Sequence, residues 1–215
     1  MNIEEKEVSY QATNTYSTLN IQTTKTKNVW IVFHGIGYLS RFFIRLFDSL
    51  PKEENYIIAP QAPSKYYKGN EYRRVGSSWL TKENTQNETK NILQYVDAVI
   101  ASEHISEATN LIILGYSQGV SIASRWLANR KIHCHAFIMI SGGFPKELQK
   151  EDFNFLSKSS KIIHIVGEKD PYFEKEKVIV EKERVQKILP QIEFKTHPGG
   201  HELNPKSLHA VIEDF

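Results

Sequence analysis

Short apolar runs alternate along the chain with segments whose apolar residues recur at helical spacing. The runs are rich in β-branched and aromatic residues, which is typical of central strands covered on both faces. They lie at residues 29–33, 56–59, 111–114, 136–140, 162–166 and 192–194. The helical pattern is clearest at residues 39–50, 92–100, 118–130 and 178–189. This alternation predicts an α/β fold with a mostly parallel central sheet and helices on both faces.

The two ends of the chain follow other patterns. Residues 8–10 and 16–21 alternate loosely between polar and apolar positions, which predicts an N-terminal edge hairpin within residues 1–27. Residues 205–215 predict a closing helix, because Pro205 suits the first position of a helix. No repeat or linker interrupts the chain, so we expect one domain over the whole length.

Composition narrows the range of partners. The chain has 215 residues, of which 40% are hydrophobic and 24% charged, and its formal net charge is +2. This weak charge gives no reason to expect nucleic acid, and no apolar run reaches the roughly 18 residues of a membrane span. Cys134 is the single cysteine, and the N-terminus lacks the pattern of a secretory signal, so we expect a cytoplasmic protein. The histidines show no zinc-site spacing with cysteine, so no metal is expected.

A serine with a glycine two residues away on each side lies where one apolar run ends and a helical pattern begins. The segment Gly115-Tyr116-Ser117-Gln118-Gly119 follows residues 111–114 directly and opens the helical pattern of residues 118–130. Glycines allow the sharp strand-to-helix turn that lifts a serine hydroxyl above the edge of a sheet. The sequence therefore predicts that Ser117 is a nucleophile.

A serine hydroxyl needs a base to take its proton and a carboxylate to orient that base. The later histidines are His164, His197, His201 and His209. Two glycines directly before His201 favour it as the base, with His197 as the alternative. Asp170 follows the run at 162–166 and precedes a proline, which favours it as the orienting acid over the nearby Glu168.

An oxyanion hole needs two N–H donors beside the nucleophile. We expect one from the backbone of Gln118, the residue after Ser117. The other is expected from Ile36, in the His34-Gly35-Ile36-Gly37 segment that follows the first apolar run. His34 itself is expected to be a structural hydrogen-bonding residue.

Aromatic residues near these segments are candidates for the wall of a substrate groove. We interpret residues 61–84 as a long loop that would bring Tyr66, Tyr67 and Trp79 to the groove, with an ordinary surface loop as the alternative. A basic rim is the less favoured interpretation of its charges, which are those of Lys65, Lys68, Arg73 and Arg74. The other groove candidates are Tyr38, Tyr116 and Tyr172. Aromatic walls bind through area and do not identify a substrate by themselves.

Several segments together resemble the phospholipase/carboxylesterase group of α/β-hydrolases, which includes the acyl-protein thioesterases. The matching segments are VWIVFHGIG, IIAPQAP, GSSW, ILGYSQGVSIA, SGGFP, HIVGEKDPYF and PGGH. They occur in the family's order over about residues 29–204. The resemblance implies an α/β-hydrolase fold without a large lid and a triad of Ser117, Asp170 and His201. It also implies oxyanion donors at Ile36 and Gln118, and no metal or organic cofactor.

The function expected from these residues is that of a serine carboxylesterase acting on small to medium acyl esters through an acyl-enzyme. Thioesterase and lysophospholipase activities use the same residues, and a peptidase has less support. A non-catalytic binding module and an acyltransferase are the alternatives from other classes. The expected partner is a small-molecule ester or thioester, and a homodimer is compatible with the sequence.

Overall fold

A seven-stranded β-sheet forms the centre of the molecule, and six of its strands are parallel. The computed structural model describes residues 1–106, 109–173, 175–203 and 208, without the side chains of residues 175–178. The strands are β1 (Tyr16–Leu19), β2 (Asn28–Phe33), β3 (Asn55–Pro60), β4 (Ser64–Lys68), β5 (Arg74–Ser78), β6 (Asn110–Tyr116), β7 (Ala136–Ile140), β8 (Lys161–Gly167) and β9 (Ile192–His197). The helices are α1 (Ser40–Phe43, continued by a 3-10 turn at Ile44–Phe47), α2 (Thr85–Ser102), α3 (Gln118–Arg130) and α4 (Lys175–Ile188), with a second 3-10 turn at Lys150–Phe153.

The order of the strands in the sheet is β1-β3-β2-β6-β7-β8-β9. Each of the six apolar runs in the sequence lies within one of the parallel strands, and β7 and β3 are buried along their entire length. Because the strands are parallel, their carboxyl ends meet at one edge of the sheet, where α/β proteins place their ligand sites.

Helices cover the sheet on both faces, as predicted. On one face, α2, α3 and α4 pack their apolar stripes against side chains such as Phe33 and Phe137. On the other face, α1 and its 3-10 turn pack against Trp30 and Ile57. Of the apolar stripe predicted at residues 178–189, Val185, Ile188 and Leu189 are buried, while the side chain of Val178 lies outside the description.

The predicted N-terminal hairpin is wrong. Only β1 forms, and it pairs antiparallel with β3 at the edge of the sheet. Residues 1–15 contain no strand, and Val8 and Tyr10 are exposed. An isolated two-stranded hairpin is only marginally stable unless it packs against the rest of the molecule, and Val8 and Tyr10 are exposed rather than packed. The edge of β3 instead supplies the hydrogen-bonding partner of β1.

The predicted loop at residues 61–84 is also wrong in part. Its middle is an antiparallel hairpin of β4 and β5, which forms a separate two-stranded sheet. Every residue of β4 is exposed, so the strand lacks the buried face that makes a strand recognisable in a sequence.

The closing helix predicted at residues 205–215 lies outside the described residues, and so does His209. Leu208 is the one described residue of this segment. It is buried with Leu203 against the same face of the sheet as α1.

Candidate active site

Ser117 occupies the turn between β6 and α3. Its backbone has φ +52° and ψ −120°, a region that side-chain-bearing residues rarely occupy. The glycines on either side permit this turn because other backbone comes very close to them. A Cβ atom at Gly119 would overlap the Phe33 carbonyl, and one at Gly115 would lie 2.5 Å from Val120 Cα. The turn therefore holds the serine at the carboxyl edge of the sheet, as the sequence predicted.

A continuous chain of hydrogen bonds joins Ser117 to a buried carboxylate. The Ser117 Oγ lies 2.8 Å from His201 Nε2, and His201 Nδ1 lies 2.8 Å from Asp170 Oδ2. The Asp170 side chain is 0% exposed, and its other oxygen accepts the Tyr172 backbone N–H at 3.0 Å. A carboxylate on Nδ1 leaves Nε2 free to accept the serine proton. The three side chains therefore form one continuous hydrogen-bonded chain.

The ends of β8 and β9 bring Asp170 and His201 to the serine. Gly167 approaches the Gly200 carbonyl so closely that a Cβ atom would overlap it. The Lys169 backbone N–H also donates to the Gly199 carbonyl at 2.9 Å. These two loops are therefore locked together.

A further bond fixes the histidine loop from the side of the serine. The Tyr116 hydroxyl donates to the His201 carbonyl at 2.9 Å. Burial raises the pKa of Tyr116, so the hydroxyl stays protonated and remains a donor.

The alternative base and acid do not reach Ser117. His197 is buried, and among the described residues its Nε2 atom has no hydrogen-bond partner. Glu168 is exposed, and its carboxylate accepts a 3.3 Å bond from the Thr196 hydroxyl. His164 packs between Phe173 and Phe194 inside the fold, and burial lowers its pKa to about 4.

The two residues predicted to supply the oxyanion hole, Ile36 and Gln118, line the same cavity as Ser117. Within the described part of the chain, neither backbone N–H donates to a protein acceptor. Both donors are therefore available to an oxygen placed above Ser117.

His34 supports the segment that carries Ile36. Its Nε2 accepts the Ala62 N–H at 3.1 Å, and its Nδ1–H donates to the Gly35 carbonyl at 2.8 Å. Burial lowers the pKa of His34 to about 4, so the ring is neutral, as these two bonds require. This matches the structural role expected from the sequence.

An open cavity of about 1290 Å³ surrounds the serine. Three predicted groove residues, Tyr38, Tyr116 and Tyr172, line it. Trp79 does not, because it is fully buried and donates its indole N–H to the His34 carbonyl at 2.8 Å. Tyr66 and Tyr67 do not line it either, since they lie on the exposed strand β4, and the basic side chains predicted as a rim belong to the same hairpin region.

Much of the cavity wall comes from residues that were not among the predicted groove candidates. They lie after β7, between β8 and α4, and on α3 and α4, and they are Ser121, Ser141, Gly142, Gly143, Phe144, Lys146, Phe173, Val180, Glu181 and Arg184. Residues 141–144 follow the carboxyl end of a parallel strand, so the rule that ligands bind at that edge could have identified them. The contribution of α4 depends on how the helix packs and leaves no signal in the sequence.

Two other properties bear on the chemistry. Within the described residues, no group of three or more histidine, cysteine, aspartate or glutamate side chains could hold a metal ion. No described helix has both the length and the apolarity needed to cross a membrane.

The sequence and fold were compared with known proteins. A family model described as phospholipase/carboxylesterase matches residues 14–215. Acyl-protein thioesterase 2 from Zea mays is 16% identical, with a TM-score of 0.71 over 94% of this chain and 97% of the other. A phospholipase/carboxylesterase from Dyadobacter fermentans is 18% identical, with a TM-score of 0.68 over 95% and 97%. No curated protein matches the sequence.

Proposed function

The chain belongs to the phospholipase/carboxylesterase family, a family of carboxylesterase- and thioesterase-type hydrolases with the α/β-hydrolase fold, and on that basis we propose that it is a serine carboxylesterase for small to medium acyl esters. One observation carries the proposal. A chain of hydrogen bonds joins Ser117 through His201 to the fully buried carboxylate of Asp170, and Ser117 and His201 line a cavity of about 1290 Å³.

In the proposed mechanism, Ser117 Oγ attacks the ester carbonyl carbon while His201 Nε2 takes the hydroxyl proton. The carbonyl electrons move onto the oxygen, which the N–H groups of Ile36 and Gln118 stabilise. The carbon–oxygen bond of the ester then breaks, and His201 returns the proton to the departing alcohol. Asp170 keeps the imidazole in the required tautomer and offsets its positive charge.

The acyl-enzyme is released by the same groups in reverse roles. His201 takes a proton from water, whose oxygen attacks the acyl carbonyl. The bond to Ser117 Oγ breaks, the serine recovers a proton from His201, and the carboxylic acid leaves. No metal or organic cofactor takes part in this proposal.

The direction of the proton transfer assigns the two halves of the cavity. Because the general acid must reach the leaving oxygen, we place the alcohol on the His201 side of the cavity, where the Tyr172 ring lies 4.7 Å from the His201 ring. The acyl group then points the other way, toward the loop after β7. We call this side the acyl half and define it by Ser121, residues 141–144, Lys146, Val180, Glu181 and Arg184.

The proposal is tested with p-nitrophenyl esters from acetate to palmitate. The wild type should hydrolyse the shorter members, and Ser117→Ala should lose all activity. Ser124→Ala is the matched control, because Ser124 lies in α3, the helix that follows Ser117, donates to the Val120 carbonyl and does not line the cavity. Full activity in Ser117→Ala, or none in the folded wild type with any ester, would refute the proposal.

Thioester hydrolysis is the second candidate function. It is favoured by the fold shared with the maize protein, which is named an acyl-protein thioesterase. The same serine and histidine would act, with a thiol as the leaving group. Parallel assays of an oxygen ester and the matching thioester, followed by thiol release, would rank the two. Added alcohol that appears in the product as a new ester would instead indicate an acyltransferase.

A further inference from the structure

An ion pair on α4 forms part of the wall of the acyl half. Arg184 binds Glu181 through two bonds, from Nε to Oε2 at 3.0 Å and from Nη2 to Oε1 at 2.8 Å. The Arg184 and Glu181 side chains are 29% and 25% exposed, respectively. A two-pronged bond of this kind fixes the geometry of both side chains. The pair is therefore a rigid unit on one side of the cavity.

The same pair also grips the loop after β7. Arg184 Nη2 donates to the Phe144 carbonyl at 2.8 Å, and Nη1 donates to the Pro145 carbonyl at 3.4 Å. The Phe144 N–H donates to Glu181 Oε1 at 3.3 Å. The guanidinium carbon lies 5.7 Å from the centre of the Phe144 ring. One ion pair thus binds the backbone donor of Phe144 and two successive carbonyls.

This segment has few other polar supports. Among described residues, the backbone of residues 143–146 makes no other hydrogen bond. Gly142, just before it, is packed against the Ser117 carbonyl, whereas nothing lies within 4 Å of the position that a Cβ atom at Gly143 would take. A glycine in open space gives the backbone a freedom that it must lose to form a defined wall. The backbone of Phe144 therefore depends on the ion pair for its polar contacts, while its ring is held by packing in the core.

The ring of Phe144 matters because it lines the acyl half. It is 3% exposed and packs against Phe153 at 5.6 Å between ring centres. Phe144 and the ion pair face the cavity together. We propose that the Glu181–Arg184 pair is a specificity determinant that holds the loop and α4 at a fixed separation and so restricts the enzyme to short acyl chains. This inference rests on the proposed esterase function and deepens it.

Two physical effects favour short chains over long ones. A short chain contacts Phe144 and Val180 and gains apolar burial. A longer chain must either push apart two elements joined by the ion pair or lie against the charged groups of Glu181 and Arg184. Removing water from a charged pair is costly when the new neighbour is apolar. Once the acyl chain is long enough to reach the ion pair, further methylenes should therefore no longer raise kcat/KM.

The test compares acyl-chain profiles of two variants with the wild type. Arg184→Ala removes the pair, and Arg184→Lys keeps the charge but loses the two-pronged bond. For each protein, kcat/KM is measured with p-nitrophenyl butyrate and p-nitrophenyl decanoate. We expect the decanoate-to-butyrate ratio to rise about tenfold in Arg184→Ala, with Arg184→Lys in between.

The matched control is Arg130→Ala. Arg130 binds Asp97 through a similar 2.8 Å ion pair between two helices, away from the cavity. Its decanoate-to-butyrate ratio should equal that of the wild type. If Arg184→Ala lowers both substrates by one common factor, the pair only supports the fold and the inference is wrong.

A second measurement does not depend on activity. Hydrogen exchange of the Phe144 amide should be faster in Arg184→Ala than in the wild type, because the Glu181 carboxylate that accepts this amide is no longer held in place by Arg184. Unchanged exchange would overturn the proposed tether. Activity retained in Ser117→Ala would refute the proposed function but not the tether. The tether would still be supported if the Phe144 amide exchanged faster in Arg184→Ala.

Discussion

Replacing Asp170 with asparagine isolates the part that the buried carboxylate plays. The two side chains have nearly the same shape, so the loop between β8 and α4 should keep its position. An amide, however, can offer its NH2 group to His201 Nδ1, which turns that nitrogen into an acceptor. The ring proton then resides on Nε2, the atom that must accept the proton of Ser117.

The size of the effect follows from the burial of Asp170. Its oxygen lies 2.8 Å from Nδ1 and its side chain is 0% exposed, so no water can replace the lost charge. Both the tautomer and the stabilisation of the imidazolium are lost. We expect kcat to fall about 10³- to 10⁴-fold, which corresponds to roughly 4–5.5 kcal/mol in the barrier. Asp170 does not line the cavity, so KM should change little.

The assay is steady-state hydrolysis of p-nitrophenyl butyrate, with urea unfolding to establish that the variant is folded. Glu168→Gln is the control, because Glu168 is an exposed carboxylate two residues away on the same loop. It should keep kcat within about twofold, since exposed charges contribute little. An Asp170→Asn variant within tenfold of the wild type, or a Glu168→Gln variant with an equal loss, would refute this reasoning.

Three other changes test different parts of the structure. Tyr116→Phe removes the 2.9 Å bond to the His201 carbonyl, so kcat on p-nitrophenyl butyrate should fall about tenfold and the free energy of unfolding should fall by about 1 kcal/mol; an unchanged kcat would exclude this tether. Burial lowers the pKa of His164 to about 4, so the unfolded chain binds the extra proton and stability falls as pH drops from about 6.5 to about 4, by up to roughly 3 kcal/mol. Because the pKa of His34 is lowered in the same way, His164→Leu should remove about half of that slope in urea unfolding, and an equally steep slope would contradict the assignment. Gly119→Ala would overlap the Phe33 carbonyl and should yield little folded protein by circular dichroism, so a native-like spectrum would show that the turn can relax.

The elements that could be predicted are those whose signal is local. The parallel strands appear as apolar runs because both faces are covered, and the turn at Ser117 appears because glycines stand where backbone approaches backbone. The loops that bring Asp170 and His201 together with the serine follow strands directly, so chain order and parallel topology place them at one edge.

The errors concern residues whose place depends on distant packing. Trp79 looked like a groove residue, but its indole is buried because the His34 carbonyl accepts its N–H. Glu181 and Arg184 were not among the predicted site residues, because nothing in their own segment reveals the loop that they contact. The sequence also suggested a partner for β1 within the N-terminal residues, whereas the partner is β3.

The pairing of β1 with β3 also protects the molecule from edge-to-edge association with other copies of itself. Every residue of β3 is buried, and its sequence, NYIIAP, is almost entirely apolar. Without β1, the outer N–H and C=O groups of this strand would be a template for strands of other chains, and such edges promote aggregation. A chain that loses residues 1–13 keeps the cover, whereas one that loses residues 1–20 loses β1 and should precipitate at concentrations that the longer chain tolerates.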